Sequence, residues 1–214
     1  MKMNSLPKKT PRPPDQLDLT RERFEEIYEV YNRPEFIHPD PLEMVLRYHS
    51  PADQDVVGLI ASSLAYGKVS HILASLEKVL PLLPHPASDL EGAPRSSLRH
   101  LFDGFRHRWT NGEELADLLL GIRMVREQWG SLQACFASGI KNGDEDVLPA
   151  LTAFVAQLRA ASGRRDSSLL ACPPRGSACK RSFLYLRWMV RRDAVDPGPW
   201  TSVNPSMWDV SVNI

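Results

Sequence analysis

Lys180 is the residue in this sequence whose neighbours best fit it for chemistry. It lies within Pro173 to Arg192, PPRGSACKRSFLYLRWMVRR, where Pro173, Pro174 and Gly176 bar an earlier helix start and Ser177 can cap the amides that follow. Lys180 therefore falls in the first turn of a helix, at the positive end of its dipole, with Arg181, Arg187 and Arg191 nearby. Such surroundings disfavour the protonated amine and favour a nucleophilic lysine, the form that attacks a sugar carbon or makes a Schiff base. The same side chain could instead hold a phosphate, or simply be solvated.

The helix that carries Lys180 has two faces. At about 100° per residue, Arg187 and Arg191 fall within about 20° of Lys180, while Cys179, Phe183, Leu186, Met189 and Val190 gather to one side, about 60–180° away. From Arg159 to Arg192 there are nine Lys and Arg against one acid, Asp166, in a chain whose 26 basic and 26 acidic groups balance. Zero net charge gives no general attraction to polyanions, so any nucleic-acid contact must rest on a local patch such as this one.

Other chemistry is thinly supported. There is no Walker loop, dinucleotide fingerprint, HExxH helix or GxSxG elbow. Cys135, Cys172 and Cys179 are too few for a disulfide framework or a four-cysteine metal site, which fits a reducing cytoplasm. Glu35, His38 and Asp40 stand close together as a metal or acid/base cluster would, but Pro34, Pro39 and Pro41 make the segment read as a rigid connector. Asp144, Glu145 and Asp146 resemble the start of a calcium loop without its glycine and distal glutamate, and read as charges at a helix start. Neither a metal nor a cofactor is expected. FRHRW at 105–109 interleaves basic groups with aromatics, which could grip phosphate and stack on a base. Its plainer reading is a helix end with Phe105 and Trp109 buried and Arg106 and Arg108 solvated.

The elements around these residues read as helices. Residues 1–18 hold a basic, proline-rich stretch expected to be a flexible tail, residues 19–200 a helical domain, and residues 201–214 an extended C-terminal segment or cut end. Thr20 can cap a helix with Phe24, Ile27, Tyr28 and Tyr31 on one side, and Asp40 a short one through Leu42, Val45 and Leu46. Ser50, Pro51 and Asp53 mark the start of a buried helix ending before Gly67, and Ser70 opens its hairpin partner. LPHPASDLEGAP is a loop or a boundary. Beyond it, a helix through Leu98 and Phe105 to Trp109, another through Leu115 to Val125, a short one after Gly130 and one through Val147 to Leu158 are expected, with Asn111 and Gly112 dividing the first two. No apolar run approaches the roughly 18 residues of a membrane span.

YNRPEFIHPDPLE, DQDVVGLIASSLAYGKVSHIL and GSACKRSFLYLRWMVRRDAVDPGPW resemble the signature blocks of a bacterial family of conserved hypothetical proteins, known mainly as a domain of unknown function. The similarity spans roughly residues 22–206. More remotely, the family resembles the helix-hairpin-helix DNA glycosylases of base-excision repair. That resemblance implies an all-α, two-lobed fold and DNA as partner. GSACKR is similar to their hairpin motif GVGRKTA, which puts Lys180 on the lysine that attacks C1′ of a damaged nucleotide. Gly176, Ser177 and Cys179 would then hold a phosphate through turn amides, and Arg181, Arg187 and Arg191 would flank the DNA. The sequence departs from those enzymes at two places. Asn213 stands where they carry an activating aspartate, which reads as a C-terminally incomplete domain, and Leu64 stands where they often carry a gap-filling glutamine. A non-catalytic nucleic-acid-binding protein and a truncated inactive family member are the alternatives.

Overall fold

The structure, a computed structural model, describes residues 20–164, 166–171 and 177–203. Ten α-helices, two single-turn 3-10 helices at Pro34–Phe36 and Leu80–Leu82, and one two-stranded hairpin make up the regular structure among these residues. In chain order the α-helices begin with α1 Arg21–Tyr31, α2 Leu42–Leu46, α3 Pro51–Leu64, α4 Val69–Val79, α5 Pro86–Asp89 and α6 Arg95–Leu101. The strands β1 Arg106–His107 and β2 Thr110–Asn111 follow, and then α7 Gly112–Trp129, α8 Leu132–Ser138, α9 Leu148–Ser162 and α10 Lys180–Val190. Helix dominates, as the 3.6-residue spacing of the apolar positions requires.

Two helix pairs form the frame. α7 packs on α9 along most of its length, α3 packs on α10, and α8 touches both α3 and the α7–α9 pair. Leu115, Leu118, Leu119, Ile122 and Val125 of α7 meet Leu151, Phe154, Val155 and Leu158 of α9 in one buried cluster. α3 is buried from Asp55 through Leu64, so it lies inside the molecule, as a helix that is apolar or small all round must. The proline-rich loop after α4 folds back onto the core: Ala87 and Leu90 are buried, and the Ala87 amide donates to Asp53 Oδ1 at 2.8 Å.

An aromatic box closes the space between α8, α9 and α10. Phe136 meets Phe154 at 5.9 Å and Trp200 at 5.4 Å, and Tyr185 meets Trp200 at 5.5 Å, edge to face. Its polar edge is a single carboxylate. Asp55 of α3 accepts from the Tyr185 hydroxyl at 2.6 Å and the Trp200 indole N–H at 2.8 Å, and is itself 4% exposed. Burial pushes its carboxyl up to about 6, against the pull of those two hydrogen bonds.

Several boundaries differ from the sequence reading for physical reasons. Ser50 stands at the N-cap of α3 but makes no side-chain cap. The last cationic helix starts at Lys180 with Cys179 at its N-cap in a left-handed conformation, so Ser177 does not cap it. Instead the Ser177 hydroxyl accepts from the Cys179 amide at 3.2 Å, a local turn that competes with helix. α1 is capped by Thr20 as expected, yet none of its residues is buried, and Phe24, Ile27, Tyr28 and Tyr31 stay exposed.

The expected effect of removing Asp55 is large. Asp55→Ala strands the Tyr185 hydroxyl and the Trp200 N–H in the core, at roughly 1–3 kcal/mol each, and should lower unfolding free energy in urea by about 2–5 kcal/mol. The pH dependence has a fixed sign. With a folded pKa of about 6 against an unfolded carboxylate near 4, the Asp55 contribution is full below about pH 4 and is lost as pH rises through 6. Asp55→Asn should flatten that part of the stability profile, read from urea midpoints between pH 4 and 7.

Candidate nucleic-acid interface

The helix α10 presents its two ends very differently. At the C-terminal end, Arg187 Nε lies 3.0 Å from Asp196 Oδ2, and Arg191 Nε lies 2.7 Å from Asp193 Oδ2 and 3.4 Å from Asp196 Oδ2. The Arg191 guanidinium also sits over the Tyr28 ring at 5.2 Å, and the Tyr28 hydroxyl donates to Asp193 at 2.9 Å. Burial alone would raise Asp193, but the amides of Val195 and Asp196, the Tyr28 hydroxyl and Arg191 outweigh it and hold the carboxyl at about 2. Asp196 goes the other way: burial raises it, and Arg187 only partly offsets that. The stripe of positive charge expected along this helix is therefore compensated over its second half. The two acids responsible, Asp193 and Asp196, follow directly after the basic stretch.

The N-terminal end makes no ion pair among the described residues. Lys180 is exposed and, among the described residues, has no carboxylate within salt-bridge distance. Cys179 beside it is buried, with φ 49° and ψ 30°. Ser177 is exposed. Gly176 and Asn213 lie outside the described residues. Arg181 is built into the fold rather than free for a ligand. It donates to the Ser63 carbonyl at 2.5 Å and to the Ser168 carbonyl, and its guanidinium lies 5.0 Å from the centre of the Tyr66 ring. Burial lowers its pKa. Leu64, expected at a gap-filling position, is fully buried within the core and cannot reach a ligand there.

From Arg181 the contact runs through Tyr66 to the segment FRHRW. The sequence reading of a helix end is overturned: α6 stops at Leu101, and residues 106–111 form a hairpin with His107 paired to Thr110. Gly104, at φ +74°, takes the chain out of helical geometry just before the turn. Arg106 and Arg108 are exposed as expected and Phe105 is half-buried against the core, but Trp109 is not buried and His107 is buried in its place. His107 is 2% exposed and Trp109 58%. The hairpin is clipped to Tyr66 from both directions. The Tyr66 hydroxyl donates to the His107 carbonyl at 3.0 Å and lies 2.6 Å from Thr110 Oγ1, while His107 Nε2 donates to the Tyr66 carbonyl at 3.1 Å. His107 Nδ1 lies 2.8 Å from the Ser75 hydroxyl, and burial lowers the imidazole's pKa.

Trp109 stacks on Tyr66 with ring centres 4.7 Å apart and planes at 21°. Arg108, at the first position of the two-residue turn, has φ 54°, and its guanidinium lies 4.9 Å from the Trp109 ring centre. The Arg108 side chain crosses Gly67, where a Cβ would stand 2.8 Å from Nη1 and 2.9 Å from Cδ. Gly67 is itself at φ +97°. Lys68, Arg106 and Arg108 are exposed and, among the described residues, none has a carboxylate partner.

The polar residues of the proline-rich connector have other roles. Asp40 Oδ1 accepts from the Leu42 amide at 2.8 Å, and His38 Nδ1 lies 2.8 Å from Glu43. Asp146 accepts from the Leu148 amide at 2.8 Å at the start of α9. No group of three or more His, Cys, Asp or Glu that could hold a metal is found among the described residues, and none of their helices is long and apolar enough to cross a membrane.

A family model described as "Protein of unknown function (DUF2400)" matches residues 40–213. The chain belongs to the DUF2400 family. The matched span takes in α2 through α10, and with them the hairpin, Asp55 and Lys180. No curated protein and no solved structure matches the chain.

The fit between Gly67 and Arg108 gives a direct test of the hairpin's support. Gly67→Ala adds a Cβ against Arg108 at a positive φ, and is expected to lower stability by about 1–2 kcal/mol in urea unfolding.

Proposed function

We propose that this DUF2400 protein binds DNA through the N-terminal end of α10, with Lys180 as the residue placed for the lyase chemistry that the glycosylase resemblance implies. The observation that carries this reading is the charge asymmetry of α10. Arg187 and Arg191 are tied to Asp193 and Asp196, whereas Lys180 stands exposed in the first turn without a carboxylate partner among the described residues. A cation in that position, at the positive end of the helix dipole, is drawn to an anion such as a backbone phosphate. It is also the position from which an amine can attack.

In the catalytic form of the proposal, the unprotonated Lys180 Nζ adds to C1′ of a nucleotide, the base leaves with the bonding electron pair and takes one amine proton, and ring opening with transfer of the other to O4′ gives a Schiff base; at a site whose base is already lost, the amine condenses with the C1′ aldehyde and releases water. A second reading, phosphate contact without turnover, is favoured by one particular observation. The two carboxylates that follow α10 belong to Arg187 and Arg191, about two and three turns beyond Lys180, and so do not serve its amine.

The two forms separate in one experiment. Incubation with duplex DNA carrying an abasic site, followed by borohydride, is expected to trap a covalent adduct that Lys180→Ala loses. Salt-sensitive binding without an adduct would leave the phosphate-contact form standing. No binding to any DNA at low salt would overturn both.

A further inference from the structure

Trp109 presents more than half of a large aromatic surface to solvent, at 58% exposure, on the tip of a hairpin that the fold holds rigidly. It is not a loose side chain. One ring face rests on Tyr66, Tyr66 is held under the Arg181 guanidinium, and the turn is fixed by His107, Thr110 and Ser75. Around it stand Arg106 and Arg108 on the same hairpin, and Lys68 beside the glycine that Arg108 crosses. All three are exposed and, among the described residues, without a carboxylate partner, so the cations of the hairpin and of the adjoining Lys68 are uncompensated.

We propose that Trp109 is a stacking platform for an unpaired base of single-stranded nucleic acid, with Lys68, Arg106 and Arg108 receiving the flanking phosphates. The charge selects the partner: uncompensated cations around an apolar ring fit a chain that alternates phosphate with flat aromatic bases. The ring selects the strand state. A duplex keeps its base faces within its own stack, so an aromatic side chain can be used only by a base that is splayed out or single-stranded. The Arg108 guanidinium lies over the indole at 4.9 Å from its centre, so the incoming base takes its place on the ring and frees it for the adjoining phosphate. The proposal rests on the nucleic-acid reading of this protein and specifies which strand form it takes at the hairpin.

The test uses the full chain and fluorescence anisotropy at low salt, with a labelled oligothymidine, an oligouridine of the same length and a duplex. Wild type, Trp109→Ala and Trp109→Phe are compared. Stacking of one base predicts a loss of about 5- to 150-fold in single-strand affinity for Trp109→Ala, substantial retention by Trp109→Phe, and unchanged duplex affinity, all measured well below each variant's thermal midpoint. Wild-type single-strand affinity that survives Trp109→Ala overturns the platform, as does a loss that falls equally on single strand and duplex. Binding of the oligouridine alone would keep the platform and overturn the DNA reading. If wild type binds none of the three probes, the nucleic-acid reading fails and the platform with it.

Discussion

The buried Asp55 carboxylate is the constraint on which the arrangement of this molecule depends. It draws one side chain from α10 and another from the segment that follows α10 onto a single oxygen of α3, through the hydroxyl of Tyr185 and the indole N–H of Trp200. Placing a carboxylate in the core is unfavourable, and its raised pKa records that cost. The return is positional: two donors with fixed directions set how α10 lies on α3, and a purely apolar contact would not. Because the orientation of α10 is set there, so is the direction in which Lys180 points out and the place at which Arg181 meets Tyr66.

Electrostatics then divides α10 in two. Its second half faces a turn whose acids neutralise it, so Arg187 and Arg191 fasten the helix to the chain that follows and, through Tyr28, to α1. Its first half has no such compensation among the described residues, and it is continuous through Arg181, Tyr66 and Trp109 with a hairpin whose cations are also uncompensated. The surface open to an anion is therefore a short patch at one end of the helix joined to the hairpin. It is not a stripe running the helix's length.

Much of this was legible in the sequence, and what was not has identifiable physical causes. Helical spacing and proline placement located α2, α3, α7 and α9 closely, because their apolar faces repeat over several turns. The hairpin was hidden, since Phe105 and Trp109 stand four apart like a helix face and only Gly104 argues against helix; the decisive term is the tertiary hydrogen bonding of His107 and Tyr66. The positive stretch was visible, but its neutralisation depends on two acids just beyond it, in a turn that folds back against Arg187 and Arg191. Lys180 kept its place as the exposed first residue of α10. Asp55 gave no signal beyond a second acid near the start of an apolar helix, because its partners lie 130 and 145 residues away.

The central claim is that the nucleic-acid contact lies at the N-terminal end of α10 and its adjoining hairpin. The most direct measurement is ultraviolet crosslinking of the full chain to a halogenated-pyrimidine oligonucleotide, with adducts mapped by peptide mass spectrometry. Adducts confined to peptides covering residues 66–68, 105–109 and 177–184 are the predicted result. Adducts concentrated on residues 187–196, around the arginines that the structure pairs with Asp193 and Asp196, would contradict it.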